Sequence, residues 1–334
     1  MSHPISLNDV VELATVSRNG VIESRHLGSL AVVDRDGALI ASLGNPEAEI
    51  YARSSLKPFQ AIASLRAGAQ LNDERLALAC ASHRGTFRHQ ELAATVLEAT
   101  GLSEADLRCP PDYPQDSETY RQTILDGNGK NRLAFNCSGK HAGFLTACVA
   151  SGWPTEGYLD PNHPLQRSVM DVVEEFSGAP VGSIAIDGCG APVPQMPLVG
   201  LARATAKMLR LAADGSDDPA ARVAPAMLAH PWAVHGEGAE NTVVMERLGV
   251  VAKLGAEGVL ILGAPDGTSL ALKMLDGSSR ANTVVGLRAL QALGVLEAVA
   301  VDAVLAEVLK PVLGGGNPVG AIVPTEAVSS LARA

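Results

Sequence analysis

Strand-like segments stand near both ends of this chain, and a long helical region separates them. Residues 8–42 are typical of an antiparallel meander, in which Asp36-Gly37 forms a hairpin turn. Further segments of strand length and composition follow at 183–186, 250–254, 258–263, 269–275 and 319–323. The pattern predicts an α+β fold, with one antiparallel sheet built from both chain ends, packed by helices, beside a mostly helical lobe.

The helical region shows apolar residues at helical spacing. It predicts helices over 54–67, 72–81, 89–100, 141–151, 164–177, 198–213, 218–229 and 240–248, and two more over 280–293 and 296–309. Residues 109–131 are rich in Pro, Asp, Gly and Asn and predict a long irregular loop. We expect residues 1–334 to form a single domain with two lobes.

Composition excludes several classes of protein. Hydrophobic residues make up 47% of the chain but aromatic residues only 3%, so the core must be aliphatic. The net charge is −10, so we expect neither nucleic acid nor an anionic membrane as a partner. The N-terminus lacks the pattern of a signal peptide, which favours a cytoplasmic protein. In that compartment the five cysteines favour free thiols, metal ligation or catalysis over disulfides.

A serine and a lysine stand three residues apart at Ser54 and Lys57. If a helix begins here, residues i and i+3 share a face, and Ser54 Oγ could contact Lys57 Nζ. A lysine amine can act as the general base for a serine nucleophile when it is neutral. The positive end of a helix disfavours a cation and lowers the pKa of such an amine. The alternative is an ordinary helix start.

Four further polar clusters lie at the ends of predicted elements. They are Cys-Ala-Ser-His at 80–83, Asn-Cys-Ser-Gly-Lys-His-Ala-Gly at 136–143, Asp-Gly-Cys-Gly at 187–190 and Lys-Leu-Gly-Ala at 253–256. The thiols of Cys137 and Cys189 could bind a soft metal such as Zn²⁺, and the alternative is two unrelated buried cysteines. Lys253 stands at the end of an apolar segment that predicts a strand. The lysine lies either at the surface, where the strand ends, or at the edge of the core through which the strand runs.

These clusters, together with Arg-Ser-Ser-Leu-Lys-Pro at 53–58, resemble the Rhizobium etli-type L-asparaginases, also called the asparaginase II family. The match follows the family order over nearly the whole chain. The resemblance implies hydrolysis of L-asparagine to L-aspartate and ammonia by a homodimer. It also implies a fold similar to serine β-lactamases and glutaminases.

The resemblance further implies two Ser–Lys tandems, Ser54 with Lys57 and Ser82 with Lys253. It places a zinc site at Cys137, Lys140 and Cys189. For substrate contacts we expect Asp187 to bind the α-ammonium group, Arg53 to bind the carboxylate, and His83 to lie nearby. We take Ser54 as the first-choice nucleophile.

One segment departs from the family pattern. Members often follow the Ser-His motif with a small or polar residue, then Gly and Glu, whereas here Arg84-Gly85-Thr86 follows. Three alternatives remain open. They are a penicillin-binding or β-lactamase-like serine acylase, a glutaminase, and a non-catalytic zinc-binding sensor. The chain lacks the S-D-N and K-T-G motifs of the first class, and the complete Ser–Lys set argues against the third.

Overall fold

A computed structural model describes residues 4–333. Its strands are β1 (Val11–Arg18), β2 (Val21–Val33), β3 (Leu39–Leu43), β4 (Glu49–Tyr51), β5 (Ile184–Ile186), β6 (Pro192–Pro197), β7 (Val251–Gly255), β8 (Val259–Gly263), β9 (Ser269–Met274), β10 (Val312–Gly314), β11 (Asn317–Gly320) and β12 (Ile322–Pro324). Its helices are α1 (Lys57–Arg66), α2 (Asp73–Ala79), α3 (Phe87–Glu98), α4 (Ser117–Leu125), α5 (Ser138–Ser151), α6 (Pro164–Ser177), α7 (Leu198–Ala213), α8 (Val223–Ala229), α9 (Pro231–Val234), α10 (Glu240–Leu248), α11 (Asn282–Ala292), α12 (Ala298–Val308) and α13 (Glu326–Ser329).

The main sheet has seven strands in the order β12-β1-β2-β9-β8-β7, and β3 also pairs with β2. Every pairing in it is antiparallel. The long strand β2 changes partner at Gly28, pairing with β1 before that residue and with β9 after it. The predicted α+β class, with one antiparallel sheet built from both chain ends, is confirmed.

Helices cover both faces of this sheet. A Cβ on Gly263 would meet the side chains of Leu209 and Thr205 in α7. A Cβ on Gly286 in α11 would instead meet Leu262. Because neighbouring strand residues point to opposite faces, α7 and α11 pack on opposite sides of β8. Burial on both faces explains why β8 is continuously apolar rather than alternating.

The middle of the chain packs around α5, in which residues 138–148 are all buried. Helices α1, α2 and α3 contact it. The predicted irregular loop over 109–131 was wrong in part, because it contains α4. Asp116 caps that helix by accepting a hydrogen bond from the backbone N–H of Thr119 at 2.8 Å. In the described part of the chain, no helix is long and apolar enough to cross a membrane.

Strand β7 lies at the edge of the main sheet, against a 3-10 turn at Arg53–Leu56 that leads into α1. Ser55 Oγ donates to the carbonyl of Lys253 at 3.1 Å. A Cβ on Gly255 would lie 2.8 Å from the carbonyl oxygen of Ala52 and 2.9 Å from Ser55 Oγ. Glycine therefore permits the close approach that brings β7 beside the start of α1.

We expect Gly255→Ala to lower the free energy of unfolding by about 1–3 kcal/mol, because the added methyl group overlaps the turn. Urea denaturation measures the change. Gly129→Ala is the matched control, since a Cβ there meets nothing within 4 Å. Equal stability of the two variants would show that the close approach is not required.

Candidate active site

Three distant segments bring one serine and two lysines together. Lys57 begins α1, Ser82 follows α2, and Lys253 lies in the middle of β7. Nζ of Lys57 lies 3.0 Å from Ser82 Oγ, and Nζ of Lys253 lies 2.9 Å from the same oxygen. Both amines are therefore within hydrogen-bonding distance of one hydroxyl group.

The surroundings of Lys57 suit a protonated amine. Its Nζ lies 2.5 Å from the carbonyl oxygen of Ala81 and 3.4 Å from that of Asn136, in addition to the Ser82 contact. An ammonium group has three donors and no acceptor, so three oxygen neighbours satisfy it completely. Two of the three neighbours are carbonyl oxygens, which accept hydrogen bonds from Nζ.

The surroundings of Lys253 suit a neutral amine. Its side chain is fully buried, and within residues 4–333 no carboxylate forms an ion pair with it. Burial, and then the charge of Lys57, lower the pKa of Lys253 well below its usual value. The neutral amine can donate to the carbonyl of Leu254 at 2.6 Å and accept the proton of the Ser82 hydroxyl.

Ser54 does not join this arrangement. Helix α1 begins at Lys57, so Ser54 lies in the preceding 3-10 turn, and its carbonyl accepts the backbone N–H of Lys57. Among the described residues its hydroxyl has no hydrogen-bond partner, and Lys57 Nζ contacts Ser82 instead. The predicted Ser54–Lys57 side-chain contact was wrong, because Lys57 Nζ is instead within hydrogen-bonding distance of Ser82 Oγ and of two backbone carbonyls.

His83 is fully buried, and both its ring nitrogens are in use. Nδ1 accepts from the backbone N–H of Gly85 at 3.0 Å, and Nε2 lies 2.9 Å from Ser138 Oγ. Burial lowers the pKa of His83, so the ring is neutral. The expected substrate contact does not fit, since neither nitrogen is free. The ring instead joins the Ser82 segment to the start of α5.

Arg53 and Asp187 face each other. Arg53 Nε donates to Asp187 Oδ1 at 2.7 Å, and the side chains are 24% and 12% exposed. Arg53 also adopts a φ of +51°, in the left-handed region that residues other than glycine rarely occupy. The two charges expected to bind the substrate's carboxylate and ammonium groups are therefore already paired with one another.

The three expected metal ligands lie together. Cys137 precedes α5, Lys140 lies in its first turn, and Cys189 follows β5. Lys140 Nζ lies 3.0 Å from Cys189 Sγ, and Cys137 Sγ donates to Asn136 Oδ1 at 3.1 Å. The neighbouring Cys137 thiol and the charge of Lys140 lower the pKa of Cys189, whereas the neighbouring Cys189 and burial raise the pKa of Cys137.

Two thiols and an amine form a donor set whose chemistry suits zinc. Within residues 4–333, no three His, Cys, Asp or Glu side chains are spaced to hold a metal ion. The amine of Lys140 would therefore have to be the third protein ligand, and it would bind only after losing its proton. With that condition, the residues present fit the ion.

Sequence reasoning missed His235. The carbonyl of the preceding residue, Val234, accepts the backbone N–H of Ser82 at 2.9 Å. Among the described residues Nδ1 of His235 is buried and has no hydrogen-bond partner. Burial, with smaller contributions from nearby positively charged groups such as Arg84, lowers the pKa of His235 to about 3. A lone histidine in a loop carries no spacing pattern that could have predicted this position.

Comparison with protein families gives a match over residues 14–324, nearly the whole chain, to the family described as L-asparaginase II. The chain belongs to the L-asparaginase II family. The family membership predicted from the motifs is therefore confirmed, and it indicates an asparaginase-type amidohydrolase that acts on a small amide. A search of curated proteins found no match.

Solved structures similar to this L-asparaginase II family member include a β-lactamase from Mycobacterium bovis. It is 14% identical, with a TM-score of 0.40, over 84% of this chain and 94% of that one. Mglu in its tris and glutamate form is 13% identical, with a TM-score of 0.41, over 84% of this chain and 63% of that one. A Bacillus glutaminase is 13% identical, with a TM-score of 0.31, over 74% and 83%. The chain thus spans less than two thirds of Mglu, and similarity at this level transfers neither substrate nor mechanism.

We expect Lys253→Met to stabilise the protein at pH 7. At pH 7 the amine of Lys253 is protonated in the unfolded chain and neutral in the folded protein. Because the proton binds only the unfolded state, burial of Lys253 opposes folding at this pH. Each unit by which folding lowers a pKa corresponds to about 1.4 kcal/mol, so we expect a net gain of about 1 kcal/mol or more. The gain should shrink toward pH 10, where the unfolded chain also releases the proton.

Urea denaturation at pH 7 and pH 10 measures this effect. Lys130→Met is the control, because its side chain is 53% exposed and replacing it should change stability little at either pH. A Lys253→Met variant that is no more stable than the parent at pH 7 would show that burial of this lysine does not oppose folding.

Proposed function

We propose that the protein hydrolyses the side-chain amide of L-asparagine to L-aspartate and ammonia. The observation that carries the proposal is the position of the Ser82 hydroxyl, whose Oγ lies 3.0 Å from Nζ of Lys57 and 2.9 Å from Nζ of Lys253. Membership of the L-asparaginase II family supports an amide as substrate. A hydroxyl placed next to a neutral base is the arrangement that nucleophilic acyl transfer requires.

In the first half-reaction, Ser82 Oγ attacks the amide carbon while its proton passes to Lys253 Nζ. The positive charge of Lys57 stabilises the developing negative charge on Oγ in a site shielded from water. The carbon–nitrogen bond of the tetrahedral intermediate then breaks, and the proton held by Lys253 passes to the leaving nitrogen. Ammonia departs, and an ester between Ser82 and aspartate remains.

In the second half-reaction, a water molecule attacks the ester carbon. Lys253, neutral again, accepts the water's proton and returns it to Ser82 Oγ as the ester bond breaks. L-aspartate is released, and both side chains regain their starting protonation states. One amine therefore serves as base and then as acid in each half of the cycle.

This proposal moves the nucleophile from Ser54, the first choice from sequence, to Ser82. Ser82 has a base in contact, whereas Ser54 has no hydrogen-bond partner among the described residues. A serine hydroxyl without a base is a weak nucleophile. Ser54 remains the competing assignment, because contacts absent from a free enzyme can form when substrate binds.

We expect Ser82→Ala to lower kcat/KM for asparagine by about 1,000-fold or more, and Ser54→Ala to lower it less than about 10-fold. Ammonia release from asparagine and from glutamine measures both. Ser64→Ala is the control, because this buried serine only donates to a carbonyl within α1, 3.1 Å away. A larger loss in Ser54→Ala than in Ser82→Ala would return the nucleophile to Ser54. Wild-type protein that releases no ammonia from asparagine would overturn the proposed function.

The zinc site is part of the proposal. Cys137, Lys140 and Cys189 would hold the ion, which would supply a fixed positive charge to orient a bound amino acid. The closeness of these three residues to one another supports the proposal. The predicted homodimer and cytoplasmic location remain predictions.

We expect Cys137→Ala to lose bound zinc and to raise KM for asparagine. Elemental analysis of the purified protein measures the zinc content. Cys148→Ala is the matched control, since it removes another buried thiol near the opposite end of α5. If Cys137→Ala keeps its zinc, or if the wild-type protein binds none, the proposed metal site is wrong.

A further inference from the structure

The side chain of Arg84 carries a charge that no described residue pairs with. It is half-buried, and its Cδ lies 3.2 Å from where a Cβ on Gly236 would stand, so the aliphatic stem packs along that glycine. Within residues 4–333 its guanidinium group makes no hydrogen bond and no ion pair with a carboxylate. Its backbone carbonyl is in use, since it accepts from Gln115 and Asp116. Burial of an unpaired cation is unfavourable, so a missing anion is indicated.

Arg84 and Ser82 lie on the same side of their segment. The N–H of Ser82 bonds to the carbonyl of Val234, whereas the N–H of His83 bonds to that of Asn136. Alternate N–H groups that point to opposite neighbours are typical of an extended chain, in which residues i and i+2 share a face. Burial follows the same alternation, because His83 is fully buried and the residues on either side of it are partly exposed.

The nearest carboxylates do not neutralise Arg84. Asp116 Oδ1 accepts from both the backbone N–H and the hydroxyl of Thr119, at 2.8 and 2.7 Å. Glu240 accepts from Thr283 Oγ1 at 3.1 Å. The charge of Arg84 acts on both carboxylates electrostatically, but neither carboxylate has an oxygen within 4 Å of a guanidinium nitrogen, the distance of an ion pair.

His235 supports a ligand in the same place. Its unpartnered Nδ1 is buried, and the ring lies within electrostatic range of both Arg84 and Lys253. The ring that carries this unpartnered atom thus lies near both Arg84 and the amine that contacts Ser82. Arg53, by contrast, is already bonded to Asp187.

We infer that Arg84 binds the α-carboxylate of the substrate whose side-chain amide reacts at Ser82, and so selects a free amino acid. The inference rests on the proposed function. A guanidinium group offers paired donors in the plane that a carboxylate accepts, and the match is lost when the carboxylate becomes a neutral amide. Two carbon atoms separate the side-chain amide group from the α-carboxylate in asparagine, and one residue separates Ser82 from Arg84.

The test compares L-asparagine with its α-N-methylamide, in which only the side-chain amide can release ammonia. We expect wild-type protein to favour asparagine by about 10- to 100-fold in kcat/KM, the range of a charge-assisted hydrogen bond. Arg84→Met should lose this preference, because its kcat/KM for asparagine should fall while its kcat/KM for the methylamide stays unchanged. Arg84→Lys should retain part of it, because the charge remains but the paired geometry does not.

Arg88→Met is the matched control. Arg88 stacks on Trp232 at 3.4 Å from the ring centre, and its side chain is 55% exposed. The Arg88→Met variant should keep the full preference for asparagine over the methylamide. An Arg84→Met variant that also keeps the full preference overturns the inference, as does a wild-type protein that shows no preference.

Calorimetric binding of L-aspartate separates this inference from the proposed function. If wild-type protein releases ammonia from neither compound, the proposed function fails. Weaker aspartate binding by Arg84→Met than by Arg88→Met would still support Arg84 as a carboxylate receptor. Equal binding by the two variants would overturn it.

Discussion

Two lysine amines share one serine hydroxyl in this protein, and their different protonation states set what the site can do. Lys57 Nζ has three oxygen neighbours, a set that suits a cation, whereas Lys253 is buried and within residues 4–333 forms no ion pair with a carboxylate. The charge of Lys57 thus helps to keep Lys253 neutral. If both amines were charged, the hydroxyl would have two donors and no base.

The two lysines come from distant segments of the chain. Lys57 comes from the start of α1 and Lys253 from an edge strand almost 200 residues later. They meet because the main sheet is built from both chain ends and because Gly255 lets β7 approach the turn before α1. Helices α8 and α10 pack against β7, and burial lowers the pKa of Lys253.

Sequence reasoning succeeded where local patterns dictate structure. Apolar periodicity located α6, α7 and α10 at their observed bounds, and the strands at both ends of the chain predicted the sheet. It failed where contacts between distant segments decide the pairing. The motif from Ser54 to Lys57 implied a contact within one turn, but Lys57 Nζ instead contacts Ser82 Oγ and two carbonyls from other segments. Likewise, no sequence pattern could show that Arg53 and Asp187 bond to each other or that His83 has no free nitrogen.

Positive charge around Ser82 serves two purposes under the proposed function. Lys57 keeps Lys253 deprotonated and stabilises the oxyanion form of the hydroxyl, while Arg84 offers a charge that the described part of the protein leaves unpaired. A carboxylate bound at Arg84 would offset the cost of burying that charge without neutralising Lys57. The Arg-Gly-Thr segment that departs from the usual family pattern therefore explains how a chain of net charge −10 could attract an anionic group beside its reactive serine.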